Sequence, residues 1–153
     1  MNKWLHYLDD GTLAEWPEIL EPQYYGFIYV IRNKTNNKFY IGKKAFFHNK
    51  KKKLTKKELA EQSGPGRRST TKTEQVDSGW KTYWGSSKEL LTDVKALGED
   101  QFERVILQFC ETKKQQTYYE IYHQIVYGVL HTENCYNDNI LGKFFRKDLA
   151  PQE

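Results

Sequence analysis

A chain of 153 residues has the length of one domain and can bury about 70% of the surface its unfolded form exposes, enough for a core without disulfide or metal staples. Its aromatic fraction of 15%, from eleven Tyr, eight Phe and four Trp, excludes a disordered chain, and no apolar run approaches the ~18 residues of a membrane span. The formal charge of +4 is unevenly spread: Lys43 to Thr73 carries nine Lys and two Arg against Glu58 and Glu61, a net of +9, which leaves about −5 for the remainder.

A localised basic segment on a mildly acidic body points to a polyanionic partner, whereas evenly spread charge would point only to solubility. The plainer reading is a solvated lysine-rich loop. The start, Met1-Asn2-Lys3-Trp4-Leu5-His6, lacks the apolar core of a secretion signal. Cys110 and Cys135 have no metal-ligand spacing and read as buried thiols. Together these imply a reduced, cytoplasmic setting without membrane association.

In chain order, residues 1–24 hold an apolar series that includes Trp4, Leu5, Leu8, Leu13, Trp16 and Ile19. The turn signal Asp9-Asp10-Gly11 interrupts it. Two short strands, or an arm packed on the main domain, fit this pattern. Residues 25–32 alternate, with Tyr25, Phe27, Tyr29 and Ile31 on one face and Ile28 and Val30 on the other. Apolar residues on both faces suit a strand covered on both sides. The polar turn Asn33-Lys34-Thr35-Asn36-Asn37 then returns the chain as Lys38 to Gly42, which reads as a hairpin. Residues 43–79 read as a long basic insert or mobile loop. It has an unbroken Lys50–Lys53 run, a short helix from Leu54 to Gln62 capped by Thr55, and a break at Ser63-Gly64-Pro65-Gly66.

From Ser86 the pattern is helical. Ser86 or Ser87 caps, Leu90, Leu91, Val94 and Leu97 share an apolar face, and Gly98 ends the run. Phe102 to Phe109 reads as a strand. A second helix, Lys113 to about Leu130, carries Tyr118, Ile121, Tyr122, Ile125, Val126 and Val129 on one stripe. At 100° per residue, Glu120 falls opposite that stripe and is therefore expected to face a cleft rather than the core. The segment from Cys135 to Ile140 reads as extended or turn-like. The fold class is α/β, in one domain over residues 25–142 with an arm at 1–24 and a tail at 143–153.

Two short runs stand out, Gly26-Phe27-Ile28-Tyr29 and Phe39-Tyr40-Ile41-Gly42. Paired in a hairpin, they set two tyrosines and two glycines at fixed positions. They resemble the signature of the GIY-YIG nucleases, with Phe27 inserted into the first half. Tyr119-Glu120-Ile121-Tyr122-His123 and Tyr136-Asn137 fit the family's later glutamate and asparagine, and the segment from Trp80 to Leu91 looks like a pattern in phage-encoded members. The resemblance implies a compact domain with a central three-stranded antiparallel sheet flanked by helices. It also implies cleavage of phosphodiester bonds in DNA by homing, restriction or recombination enzymes.

In that reading Tyr29 is the general base, Tyr40 orients the water or phosphate, and Glu120 holds one Mg²⁺ or Mn²⁺ ion. Asn137 positions by hydrogen bonding, and Gly26 and Gly42 are structural. A basic setting would favour a tyrosine phenolate. The family arginine, about ten residues past the second tyrosine, is replaced near Lys50 by lysines. Its duty could fall to Lys43 or Lys44, to Arg67 or Arg68, or to Lys81, with the arginines favoured for their bidentate fork and Lys44 as a supporting charge. His48 is a weak candidate for a proton carrier. His123, one turn past Glu120, reads more readily as a packing residue. Lys43, Lys50, Lys51, Lys52, Lys53, Lys81 and Ser86 are expected at nucleic acid, with Trp80, Tyr83 and Trp84 either stacking on bases or packed in the core. A double-strand break needs two incisions, so a homodimer or a nicking activity follows. The alternative readings are a non-catalytic nucleic-acid-binding protein on the same fold, and a module whose lysines contact an acidic protein.

Overall fold

The computed structural model describes residues 2–62, 64 and 66–149. Strands β1 (Trp4–Tyr7) and β2 (Leu13–Glu15) flank the expected turn, where Asp10 Oδ1 accepts from Thr12 N and Oγ1 at 2.9 and 2.6 Å. The motif hairpin is β3 (Gly26–Asn33) and β4 (Phe39–Ala45). Its turn is closed by Asn37 in left-handed backbone, φ 61°, and by Asn33 Oδ1 accepting from Thr35. The chain continues through β5 (Phe47–Lys53), α1 (Lys56–Ala60), β6 (Thr71–Asp77), α2 (Lys88–Leu97), β7 (Phe102–Cys110) and α3 (Lys113–Val126). It closes with the two-residue strands β8 (Asn139–Ile140) and β9 (Phe144–Phe145).

The main sheet has five strands in the order β2-β1-β7-β3-β4. Strands β7, β3 and β4 are mutually antiparallel, while β1 runs parallel to β7 and carries β2 on its outer side. The N-terminal segment therefore extends the sheet, and the expected three strands become five. The physical reason is that Trp4 reaches the core, fully buried against Phe27 and Tyr29 at centroid distances of 5.0 and 5.3 Å. Burying a side chain of this size stabilises by roughly 2–3 kcal/mol.

Both faces of β3 are covered, as its double apolar pattern requires. Phe27, Tyr29 and Ile31 join Trp4, Trp16, Phe46, Trp80 and Leu90 on one side. Ile28 and Ile41 join Cys110, Val129, Leu130 and Cys135 on the other. Trp80 is thus a core residue, and Trp84 packs edge-on against Phe102, so these rings are not a base-stacking platform. Both cysteines are buried thiols, with burial raising each to about 11.

The basic segment is not a loop. Its first three residues complete β4, and β5 pairs with β6 over seven residues from Phe47↔Asp77 to Lys53↔Thr71. Helix α1, shorter than expected, sits at the far end under a capping box between Thr55 and Glu58. Of the expected break after it, Ser63 and Pro65 lie outside the described residues, as do residues 150–153 of the tail. Residues 144–149 form β9 and a 3₁₀ turn. There Arg146 donates to the carbonyls of Val129 and Asn137 at 3.1 and 3.0 Å.

Two helical expectations divide. Helix α2 is capped by Ser87, buries Leu90 and Val94, and ends at Gly98, but leaves Leu91 and Leu97 outside. Helix α3 is rotated so that most of its apolar stripe faces away from the sheet, with Ile121 packed against the core and Val129, past the helix end, buried in it. Tyr118 and Ile125 are each 63% exposed, and Tyr122 and Val126 are also exposed, while Gln116 and Gln124 are buried against the sheet. Backbone carbonyls decide this orientation: Gln116 Nε2 donates to Phe27 O and Gln124 Nε2 to Ile41 O, each at 3.3 Å. A buried side-chain amide left without a partner costs about 1–3 kcal/mol, and these carbonyls supply the acceptors that let the polar face of the helix turn inward.

Candidate active site at the edge of the sheet

Strand β4 is an edge strand, and its outer backbone would be open without the segment that follows α3. Phe39 O accepts from Tyr136 N at 2.7 Å. The Asn137 side chain acts as a missing strand, receiving Ile41 N on Oδ1 and donating from Nδ2 to Ile41 O, both at 2.9 Å. Upstream, Tyr136 Oη accepts from Asn33 Nδ2 at 3.1 Å and donates to Asp93 Oδ2 at 2.7 Å, joining the hairpin turn to α2. These buried polar links were not evident in the sequence. The Asn137 amide is committed to the backbone of Ile41, so it places Tyr40 and Gly42 rather than a substrate.

Beside this edge lies a polar cavity of about 620 Å³. Its wall includes Tyr40, Ser86, Lys88, Glu120, Asn137 and Asp138. Tyr40 reaches it from the face of the sheet that α2 covers, with its hydroxyl 3.0 Å from Ser86 Oγ. Glu120 reaches it from the opposite face, on the inward side of α3 between Gln116 and Gln124. Its side chain is 17% exposed, and Lys43 Nζ lies 3.9 Å from Oε1. Lys43 also donates to Thr117 Oγ1 at 3.1 Å. Burial pushes the Glu120 carboxyl up, against the opposing pull of Lys43. The start of α2 forms the third wall, with Ser87 capping Leu90 N at 3.3 Å and Lys88 at the first helical position.

The motif glycines are explained by close approach. Tyr29 lies directly across from Gly42, and a Cβ there would stand 2.5 Å from Tyr29 Oη, 2.7 Å from its Cζ and 2.9 Å from Tyr40 Cε1. Only glycine lets the first tyrosine lie flat over the second strand. At Gly26 a Cβ would meet Gln116 Nε2, and would stand 2.5 Å from the backbone oxygen of Lys44. Gly26 thus allows α3 to approach β3.

The tyrosines are not equivalent. Tyr29 is 1% exposed and is absent from the cavity wall. Burial raises it well above the ordinary tyrosine value, with Tyr40, Tyr83 and Glu120 adding to the shift. The expectation that basic neighbours favour a Tyr29 phenolate is therefore overturned, because a dry aromatic and acidic setting opposes ionisation. Tyr40 is also raised by burial, partly offset by its bond to Ser86, but it opens on the cavity.

The basic candidates separate as well. Arg67 and Arg68 are exposed beyond the outer end of the β5–β6 hairpin, where Lys53 pairs with Thr71. Six residue steps of hairpin, roughly 20 Å, lie between that end and the sheet, and neither arginine lines the cavity. Lys44 stacks over the Tyr83 ring at 4.0 Å on the core side, and burial lowers its pKa. Lys81 lies 5.5 Å from the Trp80 ring. Lys43 is partly exposed and points toward Glu120. Lys50, Lys51, Lys52 and Lys53 all lie on the exposed hairpin, and Ser86 is at the cavity bonded to Tyr40. Lys88, overlooked in the sequence because it reads as an ordinary first-turn residue, is the cation that the cavity wall contains. His123 bonds Gln108 Oε1 at 3.0 Å and is a packing residue. His48 is exposed on the hairpin.

Among the described residues no group of three or more His, Cys, Asp or Glu gathers to form a metal cage, and no helix is long and apolar enough to cross a membrane. The half-buried Glu120, with the exposed Glu89 and Asp138 elsewhere in the same wall, fits a single hard cation with water and phosphate oxygens completing its shell. It does not fit a cage made by the protein alone.

Residues 14–140 match the family described as "Putative endonuclease segE, GIY-YIG domain". No curated protein and no solved structure gives a match.

Proposed function

The chain belongs to the GIY-YIG endonuclease family, and on that premise we propose that it hydrolyses phosphodiester bonds in DNA at the cavity beside β4. The supporting observation is the convergence of Tyr40, Glu120 and Lys88, far apart in sequence, on one polar cavity. Glu120 would hold a Mg²⁺ or Mn²⁺ ion, which would supply charge neutralisation on the attacked phosphate and the leaving oxygen. Lys88 and the amide-rich start of α2 bind the phosphate, replacing the family's arginine with a lysine and a helix terminus.

Tyr40 orients the attacking water and, in its phenolate form, takes up the water's proton to become the neutral phenol, with Ser86 as hydrogen-bond partner. Tyr29 stands behind it, ring centroids 6.2 Å apart, and fixes its position. Asn137, Gln124 and Gly42 hold the Tyr40 backbone in register. One cavity makes one incision, so a nick is the first product and a double-strand break requires a second copy of the chain.

The test is incubation of supercoiled plasmid with Mg²⁺, beside a Glu120→Gln protein checked for folding. Nicking by the wild type alone supports the assignment. Equal nicking by both proteins would mean that the reaction centre lies elsewhere.

A further inference from the structure

The β5–β6 hairpin projects from the end of β4 as a two-stranded ribbon, and its two faces differ. On one face Lys52 and Lys72 meet Glu74 at 3.2 and 3.8 Å, and Lys72 meets Glu58 of α1 at 2.9 Å. That face is half-covered, since Lys72, Glu74 and Val76 are all partly buried. The other face is exposed, and at its inner end Asn49 and Gln75 border a shallow hollow with Glu21 and Pro22 of the N-terminal segment. The cross-strand pairs of this face are Phe47↔Asp77 at the base, then Asn49↔Gln75, Lys51↔Thr73 and Lys53↔Thr71, so its one acidic residue, Asp77, stands at the end nearest the main sheet.

We propose that this second face lies in the major groove of duplex DNA to one side of the cut, with Asn49 and Gln75 reading base edges and Lys51 and Lys53 holding phosphates. The proposal rests on the nuclease reading for its substrate class. Three observations carry it. A major groove about 12 Å wide admits a two-stranded ribbon, whose strands lie about 4.8 Å apart. Paired Asn and Gln side chains present the donor and acceptor set that matches adenine in that groove. Among the described residues Lys51 and Lys53 on this face have no ion-pair partner, whereas on the other face Lys52 and Lys72 pair with Glu58 and Glu74 and Lys50 alone does not, so more of the free positive charge lies on this face.

Chain length bounds the reach. Nine residue steps separate Tyr40 from Asn49 and thirteen separate it from Lys53. At ~3.3 Å each these span at most about 30 and 43 Å, or roughly nine and thirteen base pairs at 3.4 Å per step. Contacts made by these residues therefore lie within about thirteen base pairs of the scissile bond.

The test uses the full chain and a pool of random 40-base-pair duplexes, with binding read in EDTA by anisotropy across salt and cleavage read separately with Mg²⁺. Lys51→Ala/Lys53→Ala should weaken binding at least tenfold and reduce the salt slope by about 2. Lys56→Ala/Lys57→Ala, which removes the same charge from α1 on the covered side, should produce a clearly smaller loss. Asn49→Ala/Gln75→Ala should leave the salt slope in place but flatten the sequence preference selected from the pool, up to about nine base pairs on one side of the cut. Equal losses from the two lysine pairs, or an unchanged preference in the amide variant, would overturn the proposal. Ribbon-dependent binding without cleavage by any protein would instead overturn the nuclease reading and leave the ribbon's role standing. Cleavage with an unaltered site preference in every ribbon variant would do the reverse.

Discussion

The cavity beside β4 and the β5–β6 ribbon are both polar, and both are suited to a phosphate polymer, but they are built by opposite means. The cavity joins residues from β4, α2, α3 and the segment after α3, and burial shifts the acidity of its tyrosine and its carboxylate. The ribbon is one local hairpin whose lysines stand in water. Catalytic chemistry requires groups perturbed from their ordinary behaviour, and only long-range packing can do that. Holding a polyanion needs only charge at a suitable spacing, which a local element provides.

The sharpest division between the two regions should come from Glu120→Gln. Nicking should fall by about 10²–10³, while duplex binding in EDTA stays near the wild-type value. A parallel loss of binding would break the comparison. The same substitution should raise stability at neutral pH. Glu120 has a folded pKa above its unfolded value, so the folded state binds more protons in the interval between the two. Stability is therefore lost as pH rises through that interval, and a neutral glutamine avoids the loss. Thermal melting of the two proteins at pH 4 and pH 7.5 would check this, with the gain expected only at the higher pH.

Tyr40→Phe should lower the nicking rate by about 10². Because burial holds Tyr40 above its ordinary value, the proton-accepting fraction grows with pH. The logarithm of the wild-type rate should climb with a slope near 1 from about pH 6 to 9, and the Tyr40→Phe profile should be flat. A wild-type plateau beginning below pH 7 would assign the base to another group.

Gly42→Ala sharpens the packing half of the argument. Its new methyl group meets the fixed ring of Tyr29, and overpacking of this kind costs about 1–3 kcal/mol. Denaturant unfolding should show that loss, and nicking should fall with it because Tyr40 is displaced. Tyr29→Phe should have the smallest effect, a change of less than about tenfold in rate, since its hydroxyl does not open on the cavity. A Tyr29→Phe loss as deep as that of Tyr40→Phe would restore Tyr29 to the water-facing role.

The strand alternation at 25–32, the turn chemistry at 33–37, the caps at Thr55 and Ser87 and the stop at Gly98 were all readable, because each depends on residues within one turn or one strand of it. The paired tyrosines and glycines, and Glu120 opposite the stripe of its helix, were readable for the same reason. The direction in which that helix would turn was not. Periodicity shows that one face is apolar and the other polar. It does not show that the sheet beneath offers the carbonyls of Phe27 and Ile41, which draw Gln116 and Gln124 inward and leave Tyr118 and Ile125 outside. The basic segment misread as a loop has a related cause: four successive lysines bury nothing, so β5 carries no hydrophobic alternation and is defined only by its partner β6.

The sequence by itself determined the family, the hairpin that holds both tyrosines, and the helix that carries the glutamate, since these follow from short-range spacing. Tertiary structure alone decided that Tyr40 rather than Tyr29 meets the cavity, that Asn137 closes the edge of β4, and that Lys88 lies in the cavity wall. Burial and hydrogen-bond satisfaction are properties of the assembled packing, and residues distant in the chain contribute to them only once the sheet and its two helices have closed together.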